Sequence, residues 1–418
     1  MFPSPDAPGA PVFLAGFREL ADQSAIFTHG EGCWLTDNQG HRYLDFSSQY
    51  WNTNLGHRHP RAIRAVQEAA AESLFLNLRF GQSASVEPFC EMLRERFSDC
   101  DVETVQLMTS GTMAIEAAIK IARLVTARPL IVSFRRSYHG MALGALAATG
   151  YRELAEPFGR HDDRHLWIEA FDEEELERVL RQHGARIAAL IAEPVISNQC
   201  LVPPDGFWPW VSGRCRQEGI LLVADEVVSG IGRCGHWSGA ALWGMEPDLI
   251  ALGKGLSAGL VPLAALLHGH RTSAALRGRT LLHGQTFDGY DLGCRVGAAI
   301  IGILEDEDLL ERTRERSVFL RQGLEGMARR LGPRRVAEVR GWGLFYGLEI
   351  AANAIPDSGL HPFAHRMQEI LRRHGLLLGG LGRVLLVAPP LVVSEDELRI
   401  GLGRLEAAMW EEFAGMTE

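Results

Sequence analysis

Ile220-Leu-Leu-Val-Ala-Asp225 is an unbroken apolar run closed by a carboxylate, and its reading governs the rest of the chain. A strand with one wet face alternates apolar and polar residues. A continuous run of this length is the pattern of a parallel strand covered on both faces. The pattern recurs on either side, in Thr104-Val-Gln-Leu-Met108, Leu130-Ile-Val-Ser-Phe134, Ile187-Ala-Ala-Leu-Ile-Ala192 and Leu249-Ile-Ala-Leu252, each followed by a helical stretch. Right-handed crossovers assemble such units into one covered sheet, so an α/β fold with a mainly parallel sheet is predicted.

Outside this region the pattern changes. Residues 1–16 are rich in Pro and Gly and read as an extended arm. Cys33-Trp-Leu-Thr36 and His41-Arg-Tyr-Leu-Asp-Phe46 flank the turn-forming Asp37-Asn-Gln-Gly40, which predicts a hairpin. Pro60 to Leu74 reads as an Ala-rich amphipathic helix. Long helices are expected over 292–330, strands near 336–350 and 384–388, and a last helix from Glu395. The expected organisation is an N-terminal arm and hairpin (1–55) belonging to a small domain, a large domain (56–296), and a C-terminal α+β part (297–418).

Composition narrows the function. With 418 residues, 46% hydrophobic and 22% charged, the chain has the balance of a globular protein with more than one small core. A net charge of −10 opposes nucleic-acid binding, which needs a basic face. Seven cysteines without a CxxC pair suggest neither a zinc cluster nor a full disulfide framework, and a reducing cytoplasm fits best. Met1-Phe-Pro-Ser-Pro-Asp6 has no signal-peptide character, and the most apolar stretch, Leu256 to Leu267, is too short to span a bilayer. No membrane or nucleic-acid partner is expected.

Four apolar runs lead directly to a polar group: Ser110, Glu193, Asp225 and Lys254. Ligands in open parallel sheets sit beyond the carboxyl ends of the strands, so these groups can converge on one crevice. Thr109-Ser-Gly-Thr112 opens a helical run, and a helix N-terminus with hydroxyls and free N–H groups cradles phosphate. Alone, that turn reads more simply as an N-cap. Asp225 at a dry strand end needs a cation or donors to stay charged, and a protonated pyridine nitrogen would serve. Most lysines are surface charges, but Lys254 follows an apolar run between Gly253 and Gly255. A desolvated lysine becomes an amine nucleophile toward carbonyls. No GxxxxGK[ST] is present, which rejects a P-loop ATPase. Gly255-Leu-Ser-Ala-Gly259 formally matches a hydrolase nucleophile elbow around Ser257, with His268, His270 and His283 as available bases.

Taken together, from about Gly32 to Glu397, the sequence resembles the class III, ω-type aminotransferases of pyridoxal-phosphate (PLP) fold type I. Thr109 to Lys120 resembles the family's phosphate turn and helix, and Tyr138-His-Gly140 its cofactor-stacking motif. Ala192-Glu-Pro194, Ala224-Asp-Glu-Val227 with Gly232-Arg233, and Leu252-Gly-Lys254 follow in the family's order. His283-Gly-Gln-Thr286 resembles the segment that sends a threonine across a dimer interface. The resemblance implies a PLP-binding fold with a smaller α+β domain and a homodimer. It also implies roles: Lys254 holds the cofactor as a Schiff base and shuttles a proton, and Asp225 holds the pyridinium. Tyr138 and Val227 flank the ring, and Ser110, Gly111 and Thr112 hold the phosphate, with Thr286 arriving from the neighbour. His139 and Glu193 complete the cofactor site, and Trp51, Arg79 and Arg383 are candidates for the substrate site.

Three departures bear on specificity. Val228 stands where the family often has Gln, and Ile196-Ser-Asn-Gln-Cys200 replaces a glycine-rich turn. Gly379 stands where many ω-aminotransferases carry a carboxylate-binding arginine. The expected reaction moves an amino group between an amino acid or keto acid and an amine- or amino-sugar-like carbonyl substrate. The alternatives are a PLP aminomutase, decarboxylase or epimerase on the same fold, a serine hydrolase using Ser257, and an inactive binding protein.

Overall fold

The computed structural model describes residues 25–76, 80–158, 163–281, 283–355, 360–380 and 382–414. The expected N-terminal arm lies outside them. Strands in chain order are β1 Phe27–Glu31, β2 Trp34–Asp37, β3 Arg42–Asp45, β4 Val102–Met108, β5 Leu130–Phe134, β6 His165–Ile168 and β7 Ile187–Ala192. They continue with β8 Leu221–Asp225, β9 Leu249–Leu252, β10 Ala264–Gly269, β11 Val336–Trp342, β12 Phe345–Ile350, β13 Leu376–Leu377 and β14 Val384–Val387.

All five apolar runs are strands of one seven-stranded sheet, ordered β4-β10-β9-β8-β7-β5-β6. Every residue of β5, β7, β8 and β9 is buried, which is why these strands carry no alternation. Two members escape the sequence pattern. β6 is short and includes His165 and Trp167. β10 lies in the apolar stretch after Lys254 and runs antiparallel to both β4 and β9. The remaining strands therefore point the same way, and their carboxyl ends share one edge.

The helix Gly111–Thr126 covers one face through Ala114, Ile115, Ala118, Ile121 and Ala122, all inaccessible to solvent. It stops where Ala127 turns left-handed (φ 55°) ahead of Pro129, which cannot continue a helix. The hairpin forms as β2–β3, with the Asp37 carboxylate accepting from the N–H groups of Gln39 and His41 at 2.9 Å each. β1 adds a strand to it, and β13, from far along the chain, pairs parallel with β3. The span 292–330 divides into helices Asp291–Asp306 and Leu309–Leu331, and β11, β12 and β14 form a third sheet. Among the described residues no helix is long and apolar enough to cross a membrane.

Candidate active site

The polar residues at the shared strand edge meet in one pocket of about 480 Å³. Its wall takes Ser110, Gly111 and Thr112 from the turn after β4, Tyr138 and His139 after β5, Glu193 after β7, Asp225 at the end of β8 and Lys254 after β9. Thus the four groups at the strand ends converge as their positions predict. Val227, Val228 and Ser257 line it too, as do Asn52, Thr109 and Leu260.

Asp225 is the last residue of a fully buried strand, and donors meet both of its oxygens. His139 Nδ1 lies 2.7 Å from Oδ2, and the Val227 N–H donates to Oδ1 at 3.2 Å. The adjacent Glu226 faces away, capping the short helix Gly239–Leu242 by accepting from the Gly239 and Ala240 N–H groups and from Ser229 and Ser238. Hence only one carboxylate of the Asp-Glu pair serves the pocket. Glu193 accepts from the Tyr138 and Ser197 N–H groups at 3.0 Å each, and burial raises its pKa.

Lys254 sits in a left-handed conformation (φ 40°), a strained choice for a lysine that its surroundings must enforce. Burial lowers its pKa to about 8, with Glu193 and Asp225 opposing that shift. The amine lies 4.6 Å from the ring centroid of Trp51, within cation–π range. The sequence contains only two lysines, Lys120 and Lys254, a signal that the motif reading passes over.

The cavity suits a flat phosphorylated ring. Ser110 caps the helix Gly111–Thr126 through Met113 N, leaving the N–H groups of Gly111 and Thr112 at a free N-terminus on the pocket wall. A Cβ on Gly111 would lie 2.5 Å from Val227 Cγ2, so the glycine lets this turn close down on the valine. His139 Nε2 is buried without a hydrogen-bond partner.

Other expectations separate here. Trp51 reaches the site, buried against Lys254. Thr286 is exposed and does not line its own chain's pocket, whereas the preceding Gln285 bonds to Thr109. Arg383 does not line the pocket either: its guanidinium is engaged by Glu349. Arg79 lies outside the described residues. None of the three histidines offered as bases for Ser257 lines the pocket that Ser257 lines. His268 Nε2 and His283 Nε2 have no hydrogen-bond partner, and His270 pairs with Asp101 at 2.7 Å.

The pattern of the family Aminotransferase class-III matches residues 18–409. The mitochondrial ornithine aminotransferase of Oryza sativa subsp. japonica is 31% identical over 382 residues, covering 89% of this chain and 79% of its own. A solved (S)-enantioselective omega-transaminase from Thermomicrobium roseum superposes with a TM-score of 0.88 at 30% identity, over 97% of this chain and 96% of that one. A PLP-bound amine transaminase from an uncultivated Pseudomonas species gives 0.87 at 29% identity, over 98% of both. With the match running through all three sheets and every residue that lines the pocket, this chain belongs to the class III aminotransferases and is a PLP-dependent transaminase.

Proposed function

We propose that the enzyme transfers an amino group between an amino acid/keto acid couple and an amine- or amino-sugar-like carbonyl substrate that carries no carboxylate beside the reacting carbon. One observation carries this reading: among the described residues lining the pocket none is an arginine, while Glu193 and Asp225 are acidic and Val228, Leu260 and Val261 are apolar. A carboxylate meeting only these residues loses water without gaining a cation, so the acid group of the amino-acid partner needs a cation from outside them, for which Arg79 is the candidate. Relatives are named for ornithine and for amines. Ornithine carries an α-carboxylate, so the pocket chemistry favours the amine.

PLP, when bound, supplies an aldehyde that takes the amino group and a ring that withdraws electrons from the carbon losing its proton. Lys254 would hold the cofactor aldehyde through its amine, and its neutral amine, favoured by burial, would be the group able to carry a proton. Asp225, steadied by His139, would keep the ring nitrogen protonated. Ser110, Gly111 and Thr112 would hold the phosphate and Tyr138 and Val227 would flank the ring, while Glu193 anchors the loop carrying Tyr138. Thr286 serves the neighbour's phosphate in a homodimer. The seven cysteines, all free and buried, support a reducing, cytoplasmic setting.

The test is a single half-reaction. A donor amine should convert the enzyme stoichiometrically to its pyridoxamine-phosphate form and release one equivalent of carbonyl product. Isomerised, decarboxylated or epimerised product without that conversion would favour the aminomutase, decarboxylase or epimerase alternative.

A further inference from the structure

Ser48, Gln49, Tyr50 and Trp51 follow one another at φ values of 46°, 49°, 57° and 66°, and none is glycine. They form one left-handed helical turn, a conformation that is unfavourable for every L-residue in it. Its termini are held by two buried charges. The Asp45 carboxylate, fully buried, accepts from Ser47 N (3.0 Å), Ser47 Oγ (2.7 Å), Gln49 Nε2 (3.1 Å) and His57 Nε2 (2.9 Å). Burial alone would raise its pKa, but these hydrogen bonds outweigh burial and hold it below the usual carboxylate value.

Arg233 is the second charge and is also fully buried. Its Nη2 donates to Ser48 Oγ at 3.3 Å and to Asn54 Oδ1 at 2.7 Å. Its Nη1 donates to the carbonyls of Leu344 at 3.1 Å and Pro389 at 2.5 Å. Ser48 Oγ in turn donates to the Ala388 carbonyl. One guanidinium thus binds the left-handed turn to two segments from the C-terminal third, which a lysine's single nitrogen could not match. The same cluster reaches the catalytic loop, because a Cβ on Gly255 would lie 2.3 Å from Asn54 Nδ2. At the far end of the turn, Trp51 packs edge-on against Phe345 at 5.6 Å and against Lys254 Nζ at 4.6 Å.

We propose that Arg233 is a positioning residue that acts through Trp51: by clamping the left-handed turn it fixes the indole beside Lys254 and so sets which amines fit. The proposal rests on Lys254 being the cofactor lysine. A guanidinium that merely stabilises the fold would lower the amount of folded enzyme without changing selectivity among amines. The Trp51 ring, by contrast, lies 4.6 Å from the Lys254 nitrogen, the atom a reacting amine must approach. Small shifts of such a wall alter selectivity by factors of about 10–200.

Arg233→Lys, Ser48→Gly and Trp51→Ala, singly and as the two pairs with Trp51→Ala, decide the matter. Ser48→Gly removes the hydroxyl bonded to Arg233 while making the left-handed turn easier to adopt, so it folds even if Arg233→Lys does not. Two quantities are read: the ratio of half-reaction rates for 1-phenylethylamine and propan-2-amine, and the absorbance maximum of the bound cofactor. We expect Arg233→Lys to change the ratio roughly tenfold, Ser48→Gly to change it less in the same direction, and both variants to shift the absorbance. In the Trp51→Ala background neither substitution should change either quantity further. An unchanged ratio and spectrum in folded Arg233→Lys, or equal changes with and without Trp51, would overturn the proposal. Borohydride fixation of the cofactor to Lys254 in the parent enzyme is checked separately, and its failure would remove the Lys254 assignment instead.

Discussion

His139 Nδ1 lies 2.7 Å from Asp225 Oδ2 within the pocket wall, where both side chains are buried. The imidazole fixes one carboxylate oxygen and the Val227 N–H meets the other at 3.2 Å, so Asp225 has little rotational freedom. A carboxylate fixed in this way would hold a protonated ring nitrogen in one direction. In metal sites, removing the partner that orients a ligand commonly costs about 10–100-fold, and His139 stands in the same relation to Asp225. His139→Ala is therefore expected to slow the half-reaction by roughly that factor, with less effect than Asp225→Ala. Stopped-flow rates of both variants check this, and equal rates for His139→Ala and the parent would refute it.

The lowered pKa of Lys254 gives a pH signature. Only the neutral amine attacks an aldehyde, and burial brings the pKa to about 8. At pH 7 roughly one amine in ten is then neutral, against fewer than one in a thousand for an ordinary lysine. Capture of PLP by cofactor-free enzyme should accelerate about tenfold per unit below that pKa and level off above it. A rate still climbing through pH 10 would indicate a solvated lysine.

Arg383 and Arg79 separate by the same half-reaction assay. Arg383 is half exposed and held by Glu349, a pair of the kind worth about 0–1 kcal/mol. Arg383→Ala should leave the half-reactions of a carboxylate donor and a simple amine within a few-fold of the parent. If Arg79 clamps the carboxylate of the amino-acid partner, Arg79→Ala slows that half-reaction alone, by an amount corresponding to roughly 2–5 kcal/mol. Equal slowing of both half-reactions would exclude the clamp.

The sequence announced the sheet and the pocket because both rest on one physical rule. Strands such as Ile187–Ala192, buried on both faces, must be apolar throughout, and the polar group that follows marks the edge where ligands bind. β10 stayed hidden because its apolar residues merge with those of the loop after Lys254, and a run alone does not divide loop from strand. The left-handed turn at Ser48–Trp51 has no glycine to betray it. Its conformation comes from Asp45 and Arg233, one adjacent in sequence and the other far away. Arg383 failed as a pocket residue for a related reason: only the folded chain brings Glu349 to it.

Attachment of the cofactor to Lys254 is the central claim, and borohydride reduction followed by peptide mapping tests it most directly. The chain has two lysines, so the label can fall on only one of two peptides. Our account predicts a single phosphopyridoxyl adduct on Lys254 in the parent enzyme. It predicts no imine absorbance band and no adduct in Lys254→Ala. An adduct on Lys120, or a reducible cofactor retained by Lys254→Ala, would contradict it.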